Sequence, residues 1–420
     1  MKAARRSRRP LHLVEIGVRW PPETFIGWKL EGLAKRGMRV TVASRSVYDR
    51  EAQVPGVELV EIPPKRSRTE GLVKGCLGLL LRSPYRLLKL VVGVWRAPKE
   101  LRERRGGSAG LLALNLPLAR LRPDLVQFEW HSVAVDYLPL FAVWGCPIVS
   151  SSRGSDLSVY PYVPGWNHYT AGLVDVLGKV SAMHCVSESL KWEAVDLGLD
   201  PAKATVIRPA DDPTLFRPAV HPEPSSRERK GDLRLVMVGW LRWEKGHEYA
   251  LEALRLLLDN DVPAQLEIVG DVPEEWRGKS GERERILHTV AELGLEGHVH
   301  LHGRASSEQV AARLQNSDVL LHASVTEGIP NVIVEAMACE IPVVAARSGG
   351  IPEAISDGVE GFLVEPRQSE ELAEALLRLW RDPALRRRMG AAGRAKFLSE
   401  FTLEFEHGAF LEMYREVAGA

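Results

Sequence analysis

The sequence predicts an α/β protein of two doubly wound domains, each a parallel sheet covered by helices. Three observations carry this. At 420 residues the chain exceeds what one ordinary hydrophobic core organises. Short continuous apolar runs alternate with helical patterns, which marks βαβ units whose strands are buried on both faces. One stretch without period, DDPTLFRPAVHPEPSSRERKG (211–231), breaks the alternation with Pro, Ser and charge, the composition of a linker. The expected boundaries are a first domain over 1–212, a linker over 213–231, a second domain over 232–395 and a closing helix over 396–420.

In the first half the strands read as LHLVEIG (11–17), RVTVAS (39–44), VELVEI (57–62), DLVQFEW (124–130), PIVSSS (147–152), AMHCVS (182–187) and TVIRP (205–209), with a helix over 24–36 after the first. The second half alternates more regularly. LRLVMVG (233–239) precedes helix HEYALEALRLLLDN, QLEIVG (265–270) precedes helix RERILHTVAELG, and HVHLHG (298–303) precedes SSEQVAARLQNSD (306–318). That last helix opens on a Ser N-cap with a Glu two residues on. VLLHAS, helix NVIVEAMACE, strand PVVAAR, helix IPEAISD, strand GFLVEP and helix SEELAEALLRLW complete the series.

The 45% hydrophobic and 26% charged composition is that of a soluble globular protein. No apolar run is long enough to span a bilayer, and the basic start MKAARRSRRP lacks the apolar segment and cleavage site of a secretory signal. The dispersed Cys76, Cys146, Cys185 and Cys339 form no CxxC and read as buried thiols of a reducing cytosol. Net charge is zero, yet residues 1–210 hold 31 Lys and Arg against 19 Asp and Glu, and the remainder inverts that balance. The first half is therefore expected to face something anionic, unless the imbalance is only unevenly solvated charge. Its segment 65–105 carries twelve basic and three acidic side chains. The segment reads as an amphipathic helix kinked at Pro84, either lying on an anionic membrane surface or crossing over on the sheet.

Two glutamates stand out in EGIPNVIVEAM (327–337). In α/β sheets ligands bind where strands end and helices begin. A helix starting near Asn331 leaves amides free for an anion, with Gly328 permitting close approach and Pro330 setting the helix entry. Glu335, one turn inside, reaches the same mouth and can accept a pair of ribose hydroxyls, while Glu327 sits at the other end of a bound diphosphate. Taken alone, the pair reads equally as a loop charge and a helix charge. WEKG (243–246), offering Lys245, and SGGIPE (348–353), offering Gly349 and Gly350 as a second backbone site for an anion, make it three strand ends converging on one anion.

These stretches, above all EGIPNVIVEAMACEIPVVAARSGGIPEAISDGVEGFLVEP with its E-x7-E and GG turn, resemble the signature of the retaining glycosyltransferases of family 4, which have the GT-B fold. VSESLKWEAVDLGL, TVIRPADDPTLFRP and VGWLRWEKGHEYALEAL extend the likeness along most of the chain. ETFIGWKLEGLAKRGMRVTV and SRGSD are similar to exopolysaccharide and colanic-acid type members. The resemblance implies two Rossmann-like domains facing a cleft, the first binding acceptor and the second nucleotide sugar, with the closing helix crossing back to the first. It assigns Glu335 to the ribose, the backbone of Gly328, Ile329, Pro330, Asn331 and Val332 to sugar and phosphates, and Lys245 to the diphosphate. Glu327 falls near the anomeric carbon, and Gly303 and Arg304 line the base. Trp240 stands where many members have an Arg beside the diphosphate, and Arg242, two residues on, is the candidate to replace it. On the acceptor or sugar side it puts Gly17, Glu23, Thr24, Arg153 and Asp156. There Arg153-Gly154 replaces a usual His-Gly, and a usual Gly-Gly is missing from the loop after Gly17.

The expected activity is transfer of a hexose from a UDP- or GDP-linked sugar to a glycan or lipid-linked acceptor, with retention, in cell-surface polysaccharide assembly. Fixed positive charge then stabilises the departing diphosphate. No cofactor, metal or nucleic acid is expected: Asp211-Asp212 reads as linker, and His298, His300 and His302 lack ligand spacing. The expected location is cytoplasmic, peripheral at the inner face of the membrane. A GT-B epimerase or phosphorylase and a non-catalytic nucleotide- or glycan-binding relative are the alternatives. A dinucleotide dehydrogenase is disfavoured, because neither half opens with GxGxxG.

Overall fold

The computed structural model describes residues 9–62, 68–162, 167–219, 232–273 and 281–419. The basic residues 1–8 and most of the expected linker, 220–231, lie outside them. The chain forms two compact units. One holds residues 1–185, 190–207 and 407–420, and the other 186–189 and 208–406.

The first unit is built on a seven-stranded parallel sheet. Its strands are β1 (His12–Ile16), β2 (Arg39–Ser44), β3 (Val57–Glu61), β4 (Leu125–Phe128), β5 (Ile148–Ser152), β6 (Ala182–Cys185) and β7 (Ala204–Val206), in the order β3-β2-β1-β4-β5-β6-β7. Each expected strand of the first half is present. Helix Thr24–Lys35 returns the chain from β1 to β2, burying Ile26, Leu30 and Leu33 at helical spacing. Between β3 and β4 the segment expected as one kinked helix is instead three, Arg68–Arg82, Pro84–Arg96 and Lys99–Arg104, and a further helix, Gly107–Asn115, follows it. Pro84 does not bend a helix; it opens one, at a position whose amide has no intrahelical partner to lose. No helix of the described residues is long and apolar enough to cross a membrane.

The second unit carries a six-stranded parallel sheet of β8 (Leu233–Val238), β9 (Ala264–Val269), β10 (Val299–Leu301), β11 (Val319–His322), β12 (Val343–Ala346) and β13 (Gly361–Val364), ordered β10-β9-β8-β11-β12-β13. Its core joins Leu235, Met237, Leu266 and Leu321 from the strands to Leu251, Leu254, Leu376 and Leu379 from helices His247–Asp259 and Ser369–Arg381. Helix Ser307–Asn316 is capped by Ser306, as expected, and Gln309 reciprocates by accepting from the Ser306 amide. Glu308 accepts the Ser306 hydroxyl. IPEAISD forms a single turn, Ile351–Ala354. Cys185 and Cys339 are buried as expected, whereas Cys76 and Cys146 are only half-buried.

The chain ends in helices Pro383–Glu400 and Leu403–Ala418. Phe410, Met413 and Tyr414 of the latter sit in the first unit's core with Leu30, Val40 and Ile207.

Candidate functional site

Strands β8, β11 and β12 are neighbours and parallel, so the loops after them leave one edge of the second sheet side by side. The turn Trp243–Lys245 closes on Gly246, whose φ is 65°. A Cβ there would lie 2.2 Å from the Ala323 carbonyl oxygen, so only glycine lets this loop rest on the end of β11. Val325 N–H donates to the Glu244 carbonyl at 2.9 Å and fastens the two loops. Lys245 thereby reaches Glu327, Nζ to Oε1 at 2.5 Å. His322, the last residue of β11, puts Nε2 3.1 Å from the same oxygen. Burial alone would raise the Glu327 carboxyl; the Lys245 ammonium, with His322, outweighs it and holds Glu327 well below the usual carboxylate range.

The Gly349-Gly350 turn has a different task from the second anion site expected of it. Gly349 adopts φ 50°, and a Cβ on it would lie 1.8 Å from the Glu327 carbonyl oxygen. Gly350 N–H donates to the Gly328 carbonyl at 3.0 Å, so this amide is already used. The two glycines clamp the loop that carries Glu327. Beyond that loop, helix Asn331–Ala338 begins after Pro330 with no side-chain cap, leaving its first amides without intrahelical partners. Ile329 and Val332 are buried, so what they present is backbone. Glu335 is half-buried one turn inside, and its carboxyl makes no hydrogen bond or ion pair among the described residues. Burial pushes its carboxyl up to about 7. Asp211, buried in the same unit, is raised well above its usual range by burial and then by Glu335 and Glu406.

Trp240 follows Gly239 at the end of β8, and the Arg304 guanidinium lies 5.8 Å from its ring centroid. Gly303, which precedes Arg304, accepts from the Gly270 amide at 2.8 Å. A Cβ on Gly270 would lie 1.7 Å from the Gly239 carbonyl oxygen, so the ends of β8, β9 and β10 are brought together through glycines. Arg242 is ion-paired with buried Glu244, which compensates its charge within the protein.

Of the residues expected in the first unit, Arg153 joins a buried ion network. Gly17, φ 94°, ends β1 against Val133. Glu23 precedes the helix that Thr24 opens, without capping it, and faces Arg19 at 3.7 Å. Arg153 donates from Nε to Glu129 Oε1 at 2.8 Å and lies 4.7 Å from the centroid of the Phe25 ring. Asp156 points inward: Oδ1 accepts from the Ser152 hydroxyl and Oδ2 from the His131 amide. Burial raises it to about 6. Its carboxylate orders the start of helix His131–Ala134.

Sequence reasoning missed Glu15, Lys29 and Glu129, all fully buried, and His322. Lys29 Nζ bonds Glu129 and, at 3.3 Å, Glu15. Burial drives Glu15 well above its usual range; it would do the same to Glu129, which Lys29 and Arg153 hold well below. A signal was present: a Lys on the apolar face of helix Thr24–Lys35, and glutamates within or next to apolar strands.

The comparisons with known proteins divide along the same lines. The family described as glycosyl transferases group 1 matches residues 223–396, and the one described as Glycosyltransferase Family 4 matches residues 29–215. Over 315 residues the chain is 30% identical to the glycosyltransferase WcaL of Salmonella typhimurium, a protein named for colanic acid biosynthesis, covering 71% of this chain and 73% of that one. The chain belongs to the family 4 glycosyltransferases. It is also 33% identical over 215 residues to a D-inositol 3-phosphate glycosyltransferase of Streptomyces griseus, covering 47% of this chain and 45% of the relative. Several such matches span about half the length of the curated relatives.

Among solved structures, sucrose-phosphate synthase from Thermosynechococcus elongatus aligns with TM-score 0.71 at 19% identity, covering 97% of this chain and 99% of that one. Anabaena HepE, in complex with UDP and glucose, aligns with TM-score 0.67 at 19% identity, covering 95% and 98%. These likenesses identify the fold as GT-B, as the sequence pattern implied.

Proposed function

We propose that this family 4 member is a retaining hexosyltransferase that moves a sugar from a UDP- or GDP-linked donor to a glycan or lipid-linked acceptor. The observation that carries the reading is Lys245 held against Glu327 beside the uncapped start of helix Asn331–Ala338, with the unpartnered Glu335 carboxylate one turn inside. A diphosphate fits the ammonium and helix amides, and a ribose diol fits Glu335. Trp240 and Arg304 offer a flat, cationic flank to the base.

On this reading the bond between the anomeric carbon and a diphosphate oxygen breaks, and negative charge grows on the leaving phosphate. Lys245 and the first amides of the helix stabilise it where it develops. The acceptor oxygen attacks from the same face, its proton passing to the departing phosphate. Glu327, kept ionised, holds the Lys245 ammonium in place beside the sugar. Arg242 acts through Glu244 as a positioning residue, and positive charge comes from protein groups, so no metal or cofactor is assigned. The similarity to a protein named for colanic acid biosynthesis supports cell-surface polysaccharide assembly as the setting. A lipid-linked acceptor would be met at the inner face of the membrane.

The test is a thermal-shift panel with UDP, GDP, ADP and their sugars, followed by transfer assays and the anomeric configuration of the product by NMR. Lys245→Ala and Glu335→Ala are each expected to abolish transfer while the protein stays folded. Full activity in Lys245→Ala sinks the diphosphate assignment, and an inverted product sinks retention. Nucleotide binding without any turnover supports the non-catalytic reading instead.

A further inference from the structure

Helices Arg68–Arg82 and Pro84–Arg96 of the first unit carry a feature that sugar transfer does not use. Their inner faces are occupied. Leu79, Leu90 and Val94 are buried. A Cβ added to Gly75 would lie 2.3 Å from Leu116 Cδ2, and one added to Gly93 would lie 2.7 Å from the Pro139 carbonyl oxygen. Their outer faces are not uniformly polar, as those of a crossover helix should be. Leu77 and Leu81 on the first helix, and Tyr85, Leu88 and Trp95 on the second, are 54 to 77% exposed. They recur three, four and seven residues apart, so each helix shows solvent an apolar stripe. Single exposed apolar residues need no explanation, but stripes on two consecutive helices that pack on one another do.

Charge decides what covers them. Residues 71–99 hold six Lys and Arg and no Asp or Glu. Lys74, Arg82, Arg96 and Lys99 are exposed, and Lys89 Nζ lies 4.6 Å from the centroid of the Tyr85 ring. A second copy docking here would set these cations against one another. A lipid surface with anionic headgroups answers both properties at once: acyl chains take the Leu side chains, Tyr and Trp sit at the boundary, and Lys and Arg reach the phosphates.

We propose that the outer face of these two helices docks the first unit on an anionic lipid bilayer, lying in the interface rather than crossing it. The inference goes beyond sugar transfer, and its test requires no turnover.

The full chain is floated with vesicles of phosphatidylcholine alone and of equal parts phosphatidylcholine and phosphatidylglycerol. Binding is expected to the anionic vesicles only, and to weaken with added salt. Leu81→Ser combined with Trp95→Ser, both surface changes, should lower the bound fraction about tenfold or more, since exposed apolar area is what inserts. Lys74→Glu combined with Lys89→Glu should lower it comparably, with nucleotide-dependent thermal shifts unchanged in both variants. Equal binding to both vesicle types, no binding to either, or undiminished binding by the Leu81 and Trp95 variant overturns the proposal. So does concentration-dependent self-association without lipid that the same variant abolishes, or an acidic protein partner competing for this face in place of vesicles.

Discussion

Glu335 gives a residue-scale handle on pH. It is a carboxyl without a partner whose burial lifts it from 4.5 to about 7. A group raised on folding contributes stability that is full below its unfolded value and lost as pH climbs through the folded one. The ligand-free protein should therefore lose stability between about pH 5 and pH 8, with Asp211, raised in the same sense, adding to the slope. Nucleotide binding should show the opposite trend, strengthening as the carboxylate forms and can accept two hydroxyls. Melting curves of the chain and of Glu335→Gln from pH 5 to 8, with and without nucleotide, check this. A wild-type slope no steeper than the variant's removes Glu335 as its source. Glu335 was legible because it stands eight residues after Glu327 in a strand–loop–helix pattern. His322 was not, because a strand-end histidine carries no local mark of the carboxylate that the chain folds beside it.

At the scale of elements the sequence specified strands and helices well and their close approaches poorly. Short apolar or alternating runs announced all thirteen strands among the described residues; the central ones, buried on both faces, leave little room for polar side chains, while β3 and β10 keep exposed polar positions. The register of one loop on another was hidden. Gly246 against Ala323, and Gly349 against Glu327, join positions far apart in sequence, where a glycine looks the same whether it frees an amide or avoids a clash. Gly349-Gly350 suggests the first from sequence and adopts the second in the fold. Pro84 was likewise correctly seen as a breaker but assigned to one helix instead of the start of another. Gly349→Ala tests the clamp. It combines a left-handed φ with a Cβ 1.8 Å from backbone oxygen, and should cost about 3 kcal/mol or more in stability and weaken nucleotide binding. Gly358→Ala is the control, with φ 80° and open space around the new Cβ, and should cost only about 1 kcal/mol. Equal losses in the two variants would show that strain alone, and not the contact with the Glu327 loop, makes Gly349 necessary.

For the whole molecule, the chain's order does not follow its units. The first unit's core is completed by Phe410, Met413 and Tyr414, which arrive only after the second unit has been made. Phe410 and Tyr414 are fully buried, and the Phe410 ring lies edge-on to His184, 4.7 Å between centroids, with Lys29 Nζ 5.1 Å from its centroid. Removing one such aromatic from a core costs about 3–5 kcal/mol, a large share of the about 5–15 kcal/mol that holds a domain together. It would also leave the Glu15–Lys29–Glu129 network facing water on the side that Phe410 covers, and a buried ion network depends on being fully enclosed. Residues 1–207 expressed alone should therefore fail to melt cooperatively and should bind a dye that reports exposed apolar surface. Adding residues 403–420 as a separate peptide should restore a cooperative transition in a peptide-concentration-dependent way, and the same peptide with Phe410→Ala and Tyr414→Ala should not. Cooperative unfolding of 1–207 without the peptide would show that the first unit completes its core without the last helix.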